Sequence, residues 1–202
     1  MQRRRGGGAE LPTEVLPGFL WVGNDIHGSD VNVLRSLGIT RVVNVTERQH
    51  ELTGKSKEQQ ETEEGQEATE AEFVVCFLPA KDHPTFPLEQ HFAKALAFIE
   101  EAQRNSLRVL VHCAEGVSRS VTIATAYLMQ SQQWTLRESI LHVMQRRHEA
   151  NPNNGFMRQL SAFEQQLFGS SSIDPSYFVD DWGWGCLQLK MEEAKTQASN
   201  QA

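Results

Sequence analysis

His112-Cys113-Ala114-Glu115-Gly116-Val117-Ser118-Arg119-Ser120 is the stretch that decides how this chain folds. The apolar run Val109-Leu110-Val111 precedes it, and a helical run from Val121 to Met129 follows. A strand that empties into a short loop opening a helix gathers backbone N–H groups and the helix N-terminus at one point, which suits an anion. The loop sets one cysteine, one glycine and one arginine there. A thiolate is favoured at a helix N-terminus beside a cation. Gly116 permits the positive φ of a tight loop, and the Arg119 guanidinium offers an oxyanion two parallel donors.

Outward from this run, strands and helices alternate. Phe19 to Gly23, Ile39 to Val45 and Phe73 to Pro79 read as strands, and Arg108 to His112 as the strand entering the loop. Ser29 is the expected cap of a helix carrying Val31, Leu34 and Leu37 and stopped by Gly38. Phe92, Ala95, Leu96, Ile99 and Ala102 follow helical spacing within Leu88 to Arg104. A helix from Ser120 to about Gln132, one opened by the Thr135/Glu138 capping pair, and one from about Gly155 to Phe168 complete the order. The expected class is α/β: a single domain with a twisted, mostly parallel sheet flanked by helices. Ligands of such sheets sit beyond the strand C-terminal ends, which independently selects residues 112–120.

Residues 1–16 read as a flexible N-terminal tail, 17–168 as the catalytic domain, and 169–202 as a partly disordered C-terminal extension. From Glu47 to Glu72 the chain carries nine glutamates and almost no large apolar side chain. Such an insertion cannot bury enough surface to offset its ordering entropy and reads as a solvated loop. The Trp182–Trp184 pair is expected to pack on the domain rather than to anchor a partner.

Composition narrows the function. The chain has 202 residues, 39% of them hydrophobic, and a net charge of −7, which argues against nucleic-acid partners. No apolar stretch approaches the ~20 residues of a membrane span, so no membrane insertion is expected. Three cysteines make no disulfide framework. The implied compartment is reducing and intracellular: cytoplasmic, with the nucleus also open. Oligomeric state is not legible. Cys76 reads as a buried structural cysteine rather than a redox partner of Cys113.

The loop meets the requirements of phosphoryl transfer. Cys113 is the candidate nucleophile, and its attack gives a cysteinyl-phosphate and hence two steps. The backbone amides of Ala114, Glu115, Gly116, Val117, Ser118 and Arg119 are the candidate substrate-binding donors, with the Arg119 side chain as clamp. The departing oxygen needs a proton, and Asp82, just past the Phe73–Pro79 strand, is the best-placed acid. The Ser120 hydroxyl is placed to assist the sulfur as it leaves, and His112 to orient or charge the cysteine.

The run resembles the His-Cys-x5-Arg-Ser loop of cysteine-dependent protein phosphatases, and the chain from about Gly18 to Phe168 resembles a dual-specificity protein phosphatase. Three further stretches carry the likeness: Phe19-Leu20-Trp21-Val22-Gly23-Asn24, Leu37 to Thr46, and Asn151-Pro152-Asn153-Asn154-Gly155-Phe156 with Gln159-Leu160. The resemblance implies dephosphorylation of phosphotyrosine and of phosphoserine or phosphothreonine in protein substrates, in a shallow pocket without metal. It implies Cys113 as nucleophile, Arg119 as transition-state clamp, Asp82 as acid and then base, Ser120 and His112 as assistants, and Asn44 as support of the phosphate loop. It is to the small, atypical kind with no upstream docking domain. Glu115 stands where many members carry a small residue, and the loop lacks the lysines of members specialised for inositol phospholipids. A non-protein phosphate (an RNA 5′-end, a glucan, an inositol phosphate) is the alternative substrate class. A phospho-partner-binding pseudophosphatase is disfavoured, because Cys113 and Arg119 are both present.

Overall fold

The computed structural model describes residues 11–49, 52, 73–180 and 185–200. Most of the acidic insertion and the Trp182–Trp184 pair lie outside the described residues. Five strands form one sheet: β1 (Thr13–Leu16), β2 (Leu20–Gly23), β3 (Ile39–Asn44), β4 (Val74–Phe77) and β5 (Arg108–His112), in the order β1-β2-β5-β3-β4. β5 lies at the centre, parallel to β2 and β3, with β4 parallel to β3 and β1 antiparallel to β2. The four parallel strands therefore end on one side. Their C-terminal loops, after Gly23, Asn44, Phe77 and His112, converge there.

The alternation of side chains along the strands assigns the faces. Val22, Val43, Val109 and Val111 point into the large core with Tyr127, Phe156 and Leu160. Trp21, Val42 and Leu110 turn the other way and cover a smaller core with Leu34 and Ile39. Helix α1 (Asp25–Ser29) follows β2, and α2 (Val31–Ser36), which carries Leu34, follows it. On the large-core side stand α3 (Phe92–Arg104), α4 (Arg119–Gln132), α5 (Leu136–Arg146) and α6 (Asn154–Phe168). Every residue of α4 from Arg119 to Met129 is buried. Its polar members are satisfied locally: the Thr122 and Thr125 hydroxyls donate to the carbonyls of Ser118 and Val121 at 2.9 and 2.8 Å. Beyond α6 lie a 3-10 turn at Pro175–Phe178 and α7 (Gly185–Asn200). No helix of the described residues is long and apolar enough to cross a membrane.

Two sequence expectations are corrected. Residues 13–16 are strand, not tail: Val15 is fully buried and Thr13 and Glu14 pair with Val22 and Trp21, so the open edge of β2 orders a segment whose composition reads as loose. Helix α2 is capped by Asp30, whose carboxylate accepts from the Asn32 and Val33 N–H groups at 3.0 and 3.1 Å. Ser29 instead ends α1, its hydroxyl returning to the Asp25 carbonyl at 2.9 Å. That short helix is not visible in the hydrophobic period, yet Asn24 and His27 close a reciprocal capping box around it. The extension at 169–202 contains ordered elements, because Ile173, Phe178, Cys186 and Leu189 are buried against the domain. The Thr135/Glu138 box stands as read.

Glu164 of α6 ties three elements together. It is 1% exposed; its carboxylate accepts from the Leu136 N–H at 2.7 Å, where α5 begins, and from the Ser172 N–H at 2.8 Å. Glu164→Ala leaves both donors without their acceptor and is expected to lower the unfolding free energy by about 2–4 kcal/mol in urea titration. Glu164→Gln, which keeps one acceptor oxygen, is expected to lose less.

Candidate active site

Residues 113–118 connect β5 to α4, and the placement of their carbonyls defines the loop. The Asp25 N–H donates to the Ala114 carbonyl at 3.1 Å, the Asn151 N–H to that of Val117 at 2.9 Å, and the Thr122 N–H to that of Ser118 at 2.9 Å. The guanidinium of Arg147 takes the two between: Nε donates to the Gly116 carbonyl at 2.6 Å, and NH2 to that of Glu115 at 3.4 Å. Five successive carbonyls are thus engaged by the surrounding protein. In a planar trans peptide the C=O and the following N–H point in opposite directions, so the N–H groups of residues 115–119 face away from these partners, toward the inside of the loop.

The Cys113 sulfur sits at that inner side. The Gly116 N–H donates to Sγ at 3.2 Å, and the Ser120 hydroxyl lies 3.3 Å away. Gly116 has φ of +72°, and a Cβ there would stand 2.6 Å from both the Gly23 carbonyl oxygen and Arg147. The position therefore accepts only glycine without rearrangement. Ser118 occupies the N-cap position of α4 but makes no capping bond. Its hydroxyl donates instead to Asp82 Oδ1 at 2.8 Å. The first-turn amides of α4 are left without a side-chain cap, so the helix terminus keeps its electrostatic pull on an anion.

Asp82 approaches the loop from the side. Besides Ser118, its Oδ1 accepts from Asn153 Nδ2 at 2.9 Å, and its Oδ2 lies 3.6 Å from Arg119 Nε. The Asp82 side chain is 34% exposed while that of Arg119 is 8%, so the carboxylate faces solvent over a buried cation. Arg119 is fixed at its other end, NH1 donating to the Ala80 carbonyl at 2.9 Å. His112 is buried beneath the loop, its Nδ1 3.8 Å from Asp25 Oδ1. The structure thus gathers Cys113, Ser118, Arg119, Ser120 and Asp82 at one site, with His112 behind and Ala114 to Val117 as its wall.

Asn44 stands beside His112 at the end of β3, but its side chain bonds its own turn. Its Oδ1 accepts from the Thr46 N–H and hydroxyl at 2.9 and 2.7 Å, and its Nδ2 donates to the Arg48 carbonyl at 3.2 Å. It shapes the turn after β3. The contact from this end of β3 to β5 comes from the backbone, Val45 N–H to the His112 carbonyl at 2.8 Å. Cys76, on β4, is buried, and that burial pushes its thiol pKa up despite Lys94 nearby.

Sequence reasoning missed two supports. Arg147, 4% exposed, braces the loop from behind and also reaches Thr13 Oγ1 at 3.0 Å and Glu149 at 3.1 Å. It sits in the polar run Gln145 to Glu149, where nothing local marks it as buried. Asn153 holds Asp82 while its Oδ1 caps α6 by accepting from the Phe156 N–H at 2.9 Å. The cap signal is legible in sequence, but the grip on Asp82 is not.

Comparison with known proteins places the geometry. Residues 20–166 match the family model for the dual specificity phosphatase catalytic domain. The dual specificity protein phosphatase Mpk3 of Drosophila melanogaster is 40% identical over 158 residues, covering 78% of this chain and 35% of its own length. The chain accordingly spans little more than a third of the curated relatives it matches. Among solved structures, human DUSP28 matches with a TM-score of 0.64 at 28% identity, over 79% of this chain and 97% of that one. A mouse putative dual specificity phosphatase complexed with zinc tungstate matches at 0.65 and 31% identity, over 80% and 92%.

If Arg147 holds the loop open, Arg147→Ala is expected to weaken inorganic phosphate binding by roughly tenfold, read by calorimetry, through loss of two charge-assisted bonds. Arg147→Lys is expected not to restore it, because an ammonium cannot reproduce the planar fork.

Proposed function

The chain belongs to the dual specificity phosphatase family, and we propose that it hydrolyses phosphate monoesters of phosphotyrosine and of phosphoserine and phosphothreonine in protein substrates. The observation that carries this reading is the set of five outward-held carbonyls, which turns the amides of residues 115–119 toward a phosphoryl group above the Cys113 sulfur.

In the first step the Cys113 thiolate attacks phosphorus. The bond to the departing oxygen breaks, and the Asp82 carboxyl gives that oxygen its proton. Charge on the three non-bridging oxygens meets the loop amides, the α4 terminus and the Arg119 guanidinium. The product is an S–P cysteinyl-phosphate and a free hydroxyl. In the second step the Asp82 carboxylate takes a proton from water, whose oxygen attacks phosphorus. The S–P bond breaks and inorganic phosphate departs, with the Ser120 hydroxyl donating to the sulfur as it regains its charge. Support for these roles is positional: Ser120 Oγ is 3.3 Å from Sγ, and Asp82 reaches Ser118 and Arg119 on the rim of the same loop. His112, under the loop, holds the strand end that delivers Cys113.

The test is hydrolysis of phosphotyrosine and phosphothreonine peptides by the purified chain, with inhibition by tungstate or vanadate. Cys113→Ser is expected to abolish turnover while retaining phosphopeptide binding. Asp82→Asn is expected to cut kcat on a phosphotyrosine peptide about 10²-fold, the usual worth of a positioned acid. The same change is expected to cost far less on an aryl phosphate whose phenol is acidic enough to leave unprotonated. Turnover by Cys113→Ser at the unsubstituted rate would refute the reading.

A further inference from the structure

The first two turns of α6 present two faces to two different partners. One face meets the loop that carries Asp82. Asn153, at the cap, holds Asp82 itself. A Cβ on Gly155 would stand 1.9 Å from the Pro84 carbonyl oxygen, so the helix and this loop touch through backbone. Gln159 donates to the Phe86 carbonyl at 2.8 Å and accepts from the Glu89 N–H at 2.9 Å. Positions 155 and 159 are one turn apart and share a face.

The other face meets the C-terminal extension, which lies beyond the 20–166 match. Asn154 Nδ2 donates to the Asp180 carbonyl at 2.6 Å, and Arg158 NH1 to the Phe178 carbonyl at 2.6 Å. Positions 154 and 158 are again one turn apart. The Cys186 thiol reaches the Pro152 carbonyl at 3.6 Å. Phe178, Cys186 and Leu189 are each 1% exposed or less, so this contact is a packed one. The extension therefore grips Pro152 and Asn154, the two neighbours of the residue that holds Asp82.

We propose that residues 173–180 and 186–189 act as positioning elements for the Asp82 loop, with α6 as the rigid link between them; this rests on Asp82 being the general acid. A clamp on Pro152, Asn154 and Arg158 fixes the direction in which Asn153 presents its amide. Asn153 in turn fixes the carboxyl that must reach the departing oxygen. The nucleophile loop touches this stretch through the Asn151 N–H on the Val117 carbonyl and the Asn153 N–H on the Ser118 hydroxyl, but it keeps further anchors at Asp25, Arg147 and Thr122, whereas Asn153 supplies the side-chain amide bound to Asp82. Loosening the extension therefore reaches proton donation before it reaches phosphate binding.

The experiment uses the full chain with Phe178→Ala, which empties a buried site, and Arg158→Ala, an exposed change that spares the core. Each is assayed on a phosphotyrosine peptide and on difluoromethylumbelliferyl phosphate, whose acidic phenol needs no proton to leave. Expected is a fall in phosphopeptide kcat of about fivefold to tenfold for Phe178→Ala and roughly threefold for Arg158→Ala, as a misplaced acid gives. Turnover of the acidic aryl ester should stay within about twofold, since the acid is not needed there. In an Asp82→Asn background neither change should lower phosphopeptide turnover further, because both act through the same group. Equal losses on both substrates, no loss in the folded Arg158→Ala chain, or additivity with Asp82→Asn would overturn the proposal. If Asp82→Asn alone shows no dependence on the leaving group, the acid assignment has failed and the proposal falls with it.

Discussion

Five peptide carbonyls in a row, from Ala114 to Ser118, are held outward by donors from four places in the chain. Everything the site can do depends on that constraint. Backbone carbonyls seek donors as strongly as amides seek acceptors, and a free loop would satisfy both with water. Here the surrounding protein satisfies the carbonyl side, and the Gly116 amide turns to the Cys113 sulfur. The donors are the Asp25 amide at the start of α1, Arg147 after α5, the Asn151 amide before α6, and the Thr122 amide of α4. The central place of β5 makes this possible: the loop leaves the sheet with β2 on one side and the α5–α6 connection on the other. The anion cradle is thus a product of the whole domain rather than of the nine-residue motif.

Two side chains give up ordinary roles to maintain it. Ser118 stands where a serine normally caps a helix, yet its hydroxyl goes to Asp82. That choice keeps the α4 terminus open and joins the nucleophile loop to the acid loop. Arg147 is a buried cation, which is costly unless its donors are all used. Two loop carbonyls, Thr13 and Glu149 use them. The partial negative charge of carbonyls is a natural partner for a guanidinium, and a fork can span two adjacent peptides where a point charge cannot.

The legible part of the sequence was the part whose cause is local. Cys113, Gly116, Arg119 and Ser120 announce themselves because strand, loop and helix are contiguous there. The Thr135/Glu138 box and the helical spacing of Phe92 to Ala102 are likewise set within a few residues. Asp82 could be placed because it follows a strand that ends on the same side of the sheet as β5. The rest depends on partners distant in sequence. β1 is a strand only because β2 has an edge to offer. α7 has polar composition, and its docking depends on Cys186 and Leu189 reaching a core already built. The resemblance implied Asn44 as support of the phosphate loop, but a side chain at a strand end is equally able to bond its own turn, and it does. Nothing near Arg147 or Asn153 encodes the contact each makes.

The two segments outside the family match are joined to the two supports that local sequence did not reveal. Thr13, upstream, accepts from Arg147, the brace of the nucleophile loop. Asp180 and Cys186, downstream, hold Asn154 and Pro152, which flank the anchor of the acid. Within the matched core, the loop after β5 and the start of α4 carry the proposed nucleophile and clamp, and the loop after β4 the proposed acid. The flanks supply contacts to what orients them. A core of this kind can keep its chemistry constant while its flanks vary, because the flanks act on angles and distances rather than on the identity of any reacting atom. Proton transfer falls off steeply with misalignment, whereas a many-donor cradle tolerates the loss of one contact. On the proposed mechanism, variation outside the core is therefore felt first at Asp82 and last at Cys113.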